Sequence, residues 1–161
     1  DEQPGMTLAA WQQRPESIGF VKARSADPFE APEIQPNYLS SLIDQEVFVA
    51  GLRLIRKITS TKYMQPYCEK ETYPGSHIRT DEQLLNTARE RGTTAFHMMG
   101  TCKMGPEYDP TTVVNRKLCV KGILNLRIAD ASIMPTMPSA NTNASCYLIG
   151  EKAAALLQYS A

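Results

Sequence analysis

His97 is the residue of this chain best suited to move a proton. It lies in Phe96-His97-Met98-Met99-Gly100-Thr101-Cys102-Lys103-Met104-Gly105, among apolar neighbours. A neutral imidazole within hydrogen-bond reach of a hydroxyl can take its proton. Phe96, Met98 and Met99 are expected to desolvate the ring and favour its neutral form. Taken alone, a single histidine between apolar residues is more often a core residue bonded to a backbone carbonyl. Asn141, in Ser139-Ala140-Asn141-Thr142-Asn143-Ala144, has a similar double character. Its amide can cap the helix that follows, or be left free for another hydrogen bond. Asp130, in Ile128-Ala129-Asp130-Ala131-Ser132-Ile133-Met134-Pro135, reads on its own as a turn residue at the end of a strand.

Other chemistry-bearing side chains point to less. Met98, Met99, Met104, Met134 and Met137 make up most of the chain's methionine, which is ordinary core filler that can also shape an apolar pocket. Cys68, Cys102, Cys119 and Cys146 form neither a Cys-x-x-Cys ligand pair nor a compact disulfide framework, so buried free thiols are expected. His77 sits in Pro74-Gly75-Ser76-His77, a solvent loop by composition, and does not join His97 in a zinc site.

Seventeen basic residues balance seventeen acidic ones, so no field favours nucleic acid or an anionic membrane. No apolar run approaches the ~20 residues that span a bilayer. The length suits about one domain with a real core. The opening Asp1-Glu2-Gln3-Pro4-Gly5 resembles neither a signal peptide nor an initiator start, so an internal start is expected and no compartment follows from it.

Several elements are legible. Ile18–Arg24 reads as a strand-like run, Ser25–Pro28 as a turn, and Ala31–Tyr38 as an extended segment held by its prolines. Ile43, Val47, Ala50, Leu54 and Ile58 recur at helical spacing over about 41–58, with Asp44 and Glu46 early and Arg53, Arg56 and Lys57 late. Residues 62–73 read as irregular or short-strand structure, interrupted by Pro66 and Pro74. A second helix is expected over 81–91, opened by a Thr80/Gln83 capping box and stopped by Gly92. Residues 93–97 read as a strand that delivers His97. Leu124, Leu126 and Ile128 alternate with Asn125 and Arg127, which predicts another strand ending near Asp130. A last helix is expected over about 144–158.

The His97 and Asp130–Ala144 motifs together resemble the C-terminal signature of the glucose–methanol–choline (GMC) family of flavin oxidoreductases. Arg14-Pro15-Glu16-Ser17-Ile18-Gly19, Arg24-Ser25-Ala26-Asp27-Pro28, Pro36-Asn37-Tyr38-Leu39 and Gly51-Leu52-Arg53 extend the match to about residues 14–157. Asn115 stands where many relatives carry Asp, and Asn141 where some carry His. The resemblance implies an α+β fold, with an antiparallel sheet and flanking helices over 1–109 forming a substrate-binding domain. It also implies that residues 110–161 return to complete a Rossmann-like FAD-binding domain. The Gly-x-Gly-x-x-Gly turn of that domain is absent from this chain and is expected on a missing N-terminal part, in the same or a partner chain.

The implied cofactor is FAD, with Asp130 a direct contact and Ala131, Thr142 and Asn143 contacting it through nearby backbone groups. The implied catalytic pair is His97 and Asn141, acting on a primary or secondary alcohol. The chain by itself is expected to hold FAD weakly and not to turn over. An apolar face between Leu124 and Leu157 is expected to stay exposed for that missing part or another copy. Two readings remain beside this one: a flavin-containing hydroxynitrile lyase of the same fold, and a non-catalytic substrate-binding module. An alcohol that bleaches the flavin anaerobically separates an oxidoreductase from a lyase.

Overall fold

The structure, a computed structural model, describes residues 4–159. Asp1-Glu2-Gln3, read above as part of an internal start, lies outside the described residues. Two compact units form instead of one domain: residues 4–12, 16–18 and 37–95 make the first, and residues 13–15, 19–36 and 96–159 the second.

The first unit is built on two helices, α1 (Leu42–Thr59) and α2 (Asp81–Arg91), which pack together. The capping box of α2 is complete. Gln83 N–H donates to Thr80 Oγ1 at 3.2 Å, and Thr80 N–H donates to Gln83 Oε1 at 3.0 Å. Gly92 ends the helix at φ −62°, so its glycine is not there for a left-handed turn. A Cβ would stand 2.3 Å from the Ala88 carbonyl oxygen, so the close approach is what requires glycine.

The apolar stripe that identifies α1 in sequence does not face the core. Ile43, Val47, Leu54 and Ile58 are between 41% and 56% exposed, while Asp44 and Val49 are buried. Polar anchors choose that face. The Asp44 carboxylate accepts from Glu16 N–H at 2.9 Å, Ser17 N–H at 2.8 Å and the Ser17 hydroxyl. Burial raises the pKa of Asp44, but these hydrogen bonds together outweigh it and hold the group below its ordinary value. Near the other end, Arg56 pairs with Glu71 through two bonds at 3.0 and 2.8 Å, and donates to the carbonyls of Ile78 and Gly75. Residues 62–73 are irregular apart from a 3-10 turn, Gln65–Tyr67, in accord with the sequence reading.

In the second unit the regular elements are a hairpin and a helix. β1 (Phe20–Lys22) pairs antiparallel with β2 (Glu33–Gln35) in the register Phe20↔Gln35, Val21↔Ile34, Lys22↔Glu33. The α+β class therefore holds as a small antiparallel sheet with helices. Two expected strands do not form. Residues 93–97 form no strand, and Phe96 breaks the run at φ +60°. Residues 124–128 contain a turn, with Asn125 at φ +58°, and contribute only the isolated bridge Cys119↔Arg127. Their alternation brings Ile128 to the core but leaves Leu124 90% exposed.

The core of this unit is Val114, Leu118 and Ile133, with Met104, Val113, Val120 and Ile128 against it. Helix α3 (Asn143–Gln158) adds Ile149, Ala153 and Leu156, spaced to share one face. Crossing hydrogen bonds replace a sheet: Gly105 N–H to Val114 O at 3.0 Å, Val113 N–H to Lys103 O at 2.8 Å, and Ile128 N–H to Leu118 O at 3.1 Å. The cysteines are free thiols and only partly buried. Met104 and Met134 are core filler, whereas Met98 points outward at 65% exposed.

Candidate functional site

The segment after His97 is held against the Asp130 motif. Gly100 N–H donates to Ala131 O at 3.3 Å, Cys102 N–H to Ser132 O at 2.9 Å, and Met104 N–H to Ile133 O at 2.8 Å. Three alternate residues donate to three successive carbonyls, so residues 100–104, with a turn at Thr101-Cys102, are tied along the 3-10 turn Ala131–Ile133. Gly100 enters this run at φ +83°, a region that side chains strain to adopt, and a Cβ there would come within 3.3 Å of Met134 O. The glycine of the His97 motif is thus a backbone requirement.

Asp130 fills the role its bare reading assigned, accepting from Ser132 N–H at 2.8 Å and so capping the 3-10 turn. Its carboxylate is otherwise exposed. The Ala131 carbonyl receives both Gly100 N–H and Met134 N–H, the latter at 3.2 Å. These bonds bring the Asp130 motif to within a few residues of His97 along the chain.

The contact that closes the site comes from α3. Thr142 Oγ1 lies 3.3 Å from His97 Nδ1, across 45 residues of sequence. Thr142 is only 7% exposed and His97 is half-buried. As N-cap of α3, Thr142 makes no side-chain cap bond, while its carbonyl accepts Cys146 N–H at 2.9 Å. Its hydroxyl is therefore spent on His97 instead of on the helix.

Asn141 is exposed and its side chain makes no hydrogen bond among the described residues. Within the Asn-Thr-Asn trio, the side chain hydrogen-bonded to His97 is thus that of Thr142. Asn143 begins the helix and is also exposed. Sequence reasoning named Thr142 only for its backbone. The available signal was a hydroxyl residue between two asparagines, either of which can cap a helix, so that the hydroxyl is left for another task. The expected apolar shell around the imidazole is incomplete in this chain. Phe96 and Met98 are 75% and 65% exposed, because the left-handed turn at Phe96 directs the backbone away from a regular strand.

The first turn of α3 carries no acidic residue and no side-chain cap, so its N–H groups and the positive end of the helix dipole stay uncompensated by side chains. Such a donor set suits an electron-rich heterocyclic edge or another acceptor. In chemical terms the site offers one imidazole, one free amide and one helix terminus.

Comparison with known proteins finds relatives over nearly the whole chain. Human mitochondrial choline dehydrogenase is 45% identical over 157 residues, covering 98% of this chain and 26% of that protein. An alcohol dehydrogenase [acceptor] of Pseudomonas putida is 38% identical over 153 residues, covering 95% of this chain and 27% of that protein. Among solved structures, an FAD-dependent oxidoreductase from Chaetomium thermophilum superposes with a TM-score of 0.83 at 31% identity, over 92% of this chain and 26% of that one. The chain spans about a quarter of the length of the curated relatives it matches. The family model for GMC oxidoreductases matches residues 15–150, and the chain belongs to that family.

Proposed function

We propose that this chain is the C-terminal, substrate-side portion of an FAD-dependent oxidoreductase that oxidises a primary or secondary alcohol, with His97 as the general base. The observation that carries this reading is the meeting of His97 with the start of α3, through Thr142 at 3.3 Å. The exposed amide of Asn141, next to Thr142 in sequence, and the uncapped N-terminus of α3 support the same reading.

The residues present fit a flavin. Asp130, Ala131, Thr142 and Asn143 are the candidates to hold it, Asp130 by its exposed carboxylate and the others by backbone groups. When bound, FAD supplies a two-electron acceptor for hydride. The chain's own residues do the rest. His97 takes the hydroxyl proton as the carbon gives up hydride, and the Asn141 amide donates to the alcohol oxygen and orients it. Residues 110–161 are assigned to the flavin-binding part, with the remainder of that part on a segment outside this chain.

The test is anaerobic rapid-mixing reduction of the complete, FAD-loaded polypeptide by a panel of alcohols. His97→Ala is expected to slow flavin reduction about 10²–10⁴-fold, the span of losing a positioned base. Asn141→Ala removes a hydrogen bond worth roughly 1–3 kcal/mol and should cost less. Both variants should retain FAD absorbance. A His97→Ala enzyme that reduces at the wild-type rate would make His97 a core residue and end this assignment.

A further inference from the structure

His97 follows a residue in the left-handed region and lies outside every helix and strand. No helix or strand fixes its ring. Among the described residues, Thr142 Oγ1 is the hydrogen-bond partner of that ring. Thr142, by contrast, is firmly held. It is buried, its carbonyl is locked into the first turn of α3, and β-branching restricts its χ1.

We propose that Thr142 is a positioning residue for His97, its hydroxyl oxygen accepting from Nδ1–H and so keeping the lone pair on Nε2. This deepens the alcohol-oxidoreductase reading and rests on it for the role of Nε2. The contact is compatible with Nδ1–H donating to the hydroxyl oxygen, the direction that leaves Nε2 bare. A ring bonded this way has a defined tautomer as well as a defined plane, since the bond at one nitrogen decides the state of the other. The consequence is chemical. In the proposed reaction the alcohol O–H bond breaks as an N–H bond forms at Nε2, and the C–H electron pair leaves as hydride to the oxidised flavin. The opposite tautomer, with hydrogen on Nε2, has no lone pair there to receive the proton.

Nitrogen-15 spectroscopy of the complete, FAD-loaded protein labelled at histidine reads the tautomer directly, with the His97 signal identified by its loss in His97→Gln. In the neutral ring, wild type should show Nδ1 protonated and Nε2 bare. Thr142→Val keeps the shape and removes the hydroxyl. It should collapse that pattern toward a mixture of tautomers and slow flavin reduction about five- to tenfold, the equivalent of one net hydrogen bond. Thr142→Ser should restore both.

A wild-type spectrum with Nε2 protonated overturns the proposal whatever the variants do. So does an unchanged pattern in Thr142→Val, or a serine variant that behaves like valine. Loss of the proposed catalytic function has a separate sign, since His97→Ala would then reduce flavin at the wild-type rate while the tautomer result stood on its own.

Discussion

Asp44 and Thr142 are both short polar side chains at the start of helices, and both are diverted from helix service to a long-range bond. Asp44 gathers Glu16 and Ser17 onto α1, and Thr142 reaches His97. Asp44 is 3% exposed, so removing its carboxylate leaves donors without partners in a dry setting. Asp44→Ala should lower unfolding free energy by about 1–3 kcal/mol in urea titration. Its pH dependence has a definite sign. The folded-state pKa lies below the ordinary aspartate value, so the stabilisation is present above that value and is lost as pH falls through the folded pKa. Wild type should therefore lose stability on acidification below the ordinary carboxylate range, and Asp44→Asn should lack that component. Parallel acid slopes for the two proteins would remove Asp44 from the account.

At the level of elements, local signals proved reliable wherever they closed on themselves. The α2 capping box and the α1 and α3 spans needed only residues within a few positions of one another. The loop around Asn115 shows the same logic in a turn. Asn115 Oδ1 accepts from Lys117 N–H at 2.9 Å and Cys119 N–H at 3.2 Å, while Nδ2 donates to Glu107 Oε1 at 2.9 Å. Aspartate keeps the acceptor roles but turns the third contact into a like-charge pair. Asn115→Asp should thus destabilise by about 0.5–1.5 kcal/mol, and adding Glu107→Gln should recover most of it. Denaturation midpoints of the two single variants and the double variant decide this. Additive losses would mean that Asn115 and Glu107 do not interact.

The whole chain buries little for its length. Among the described residues the buried apolar set is Val49 and Leu84 in one unit, and Val114, Leu118, Ile133 and Met134 in the other. Against this, Leu124 is 90%, Tyr147 72% and Leu148 71% exposed, so large apolar side chains between Leu124 and Leu157 stay open to solvent. A chain spanning about a quarter of its curated relatives and displaying such surface is expected to self-associate when prepared alone. Sedimentation velocity should show mass rising with concentration, and Leu148→Lys with Tyr147→Lys should reduce it. Concentration-independent monomers of the unaltered chain would count against this.

Sequence by itself determined the helices, the glycines and prolines that punctuate them, and the two motifs whose pairing marks the family. Each depends on near neighbours or on residue identity. Tertiary structure alone decided which face of α1 is buried, since its polar anchors Asp44 and Arg56 outweigh the apolar stripe that announces the helix. It also decided that 93–97 and 124–128 are not strands, because a ladder needs a partner that periodicity cannot supply. The bond from Thr142 to His97 spans 45 residues and follows from how residues 100–104, the Ala131–Ile133 turn and α3 pack around Ile133. No local rule carries information over that distance, because it is created only when the intervening chain has folded.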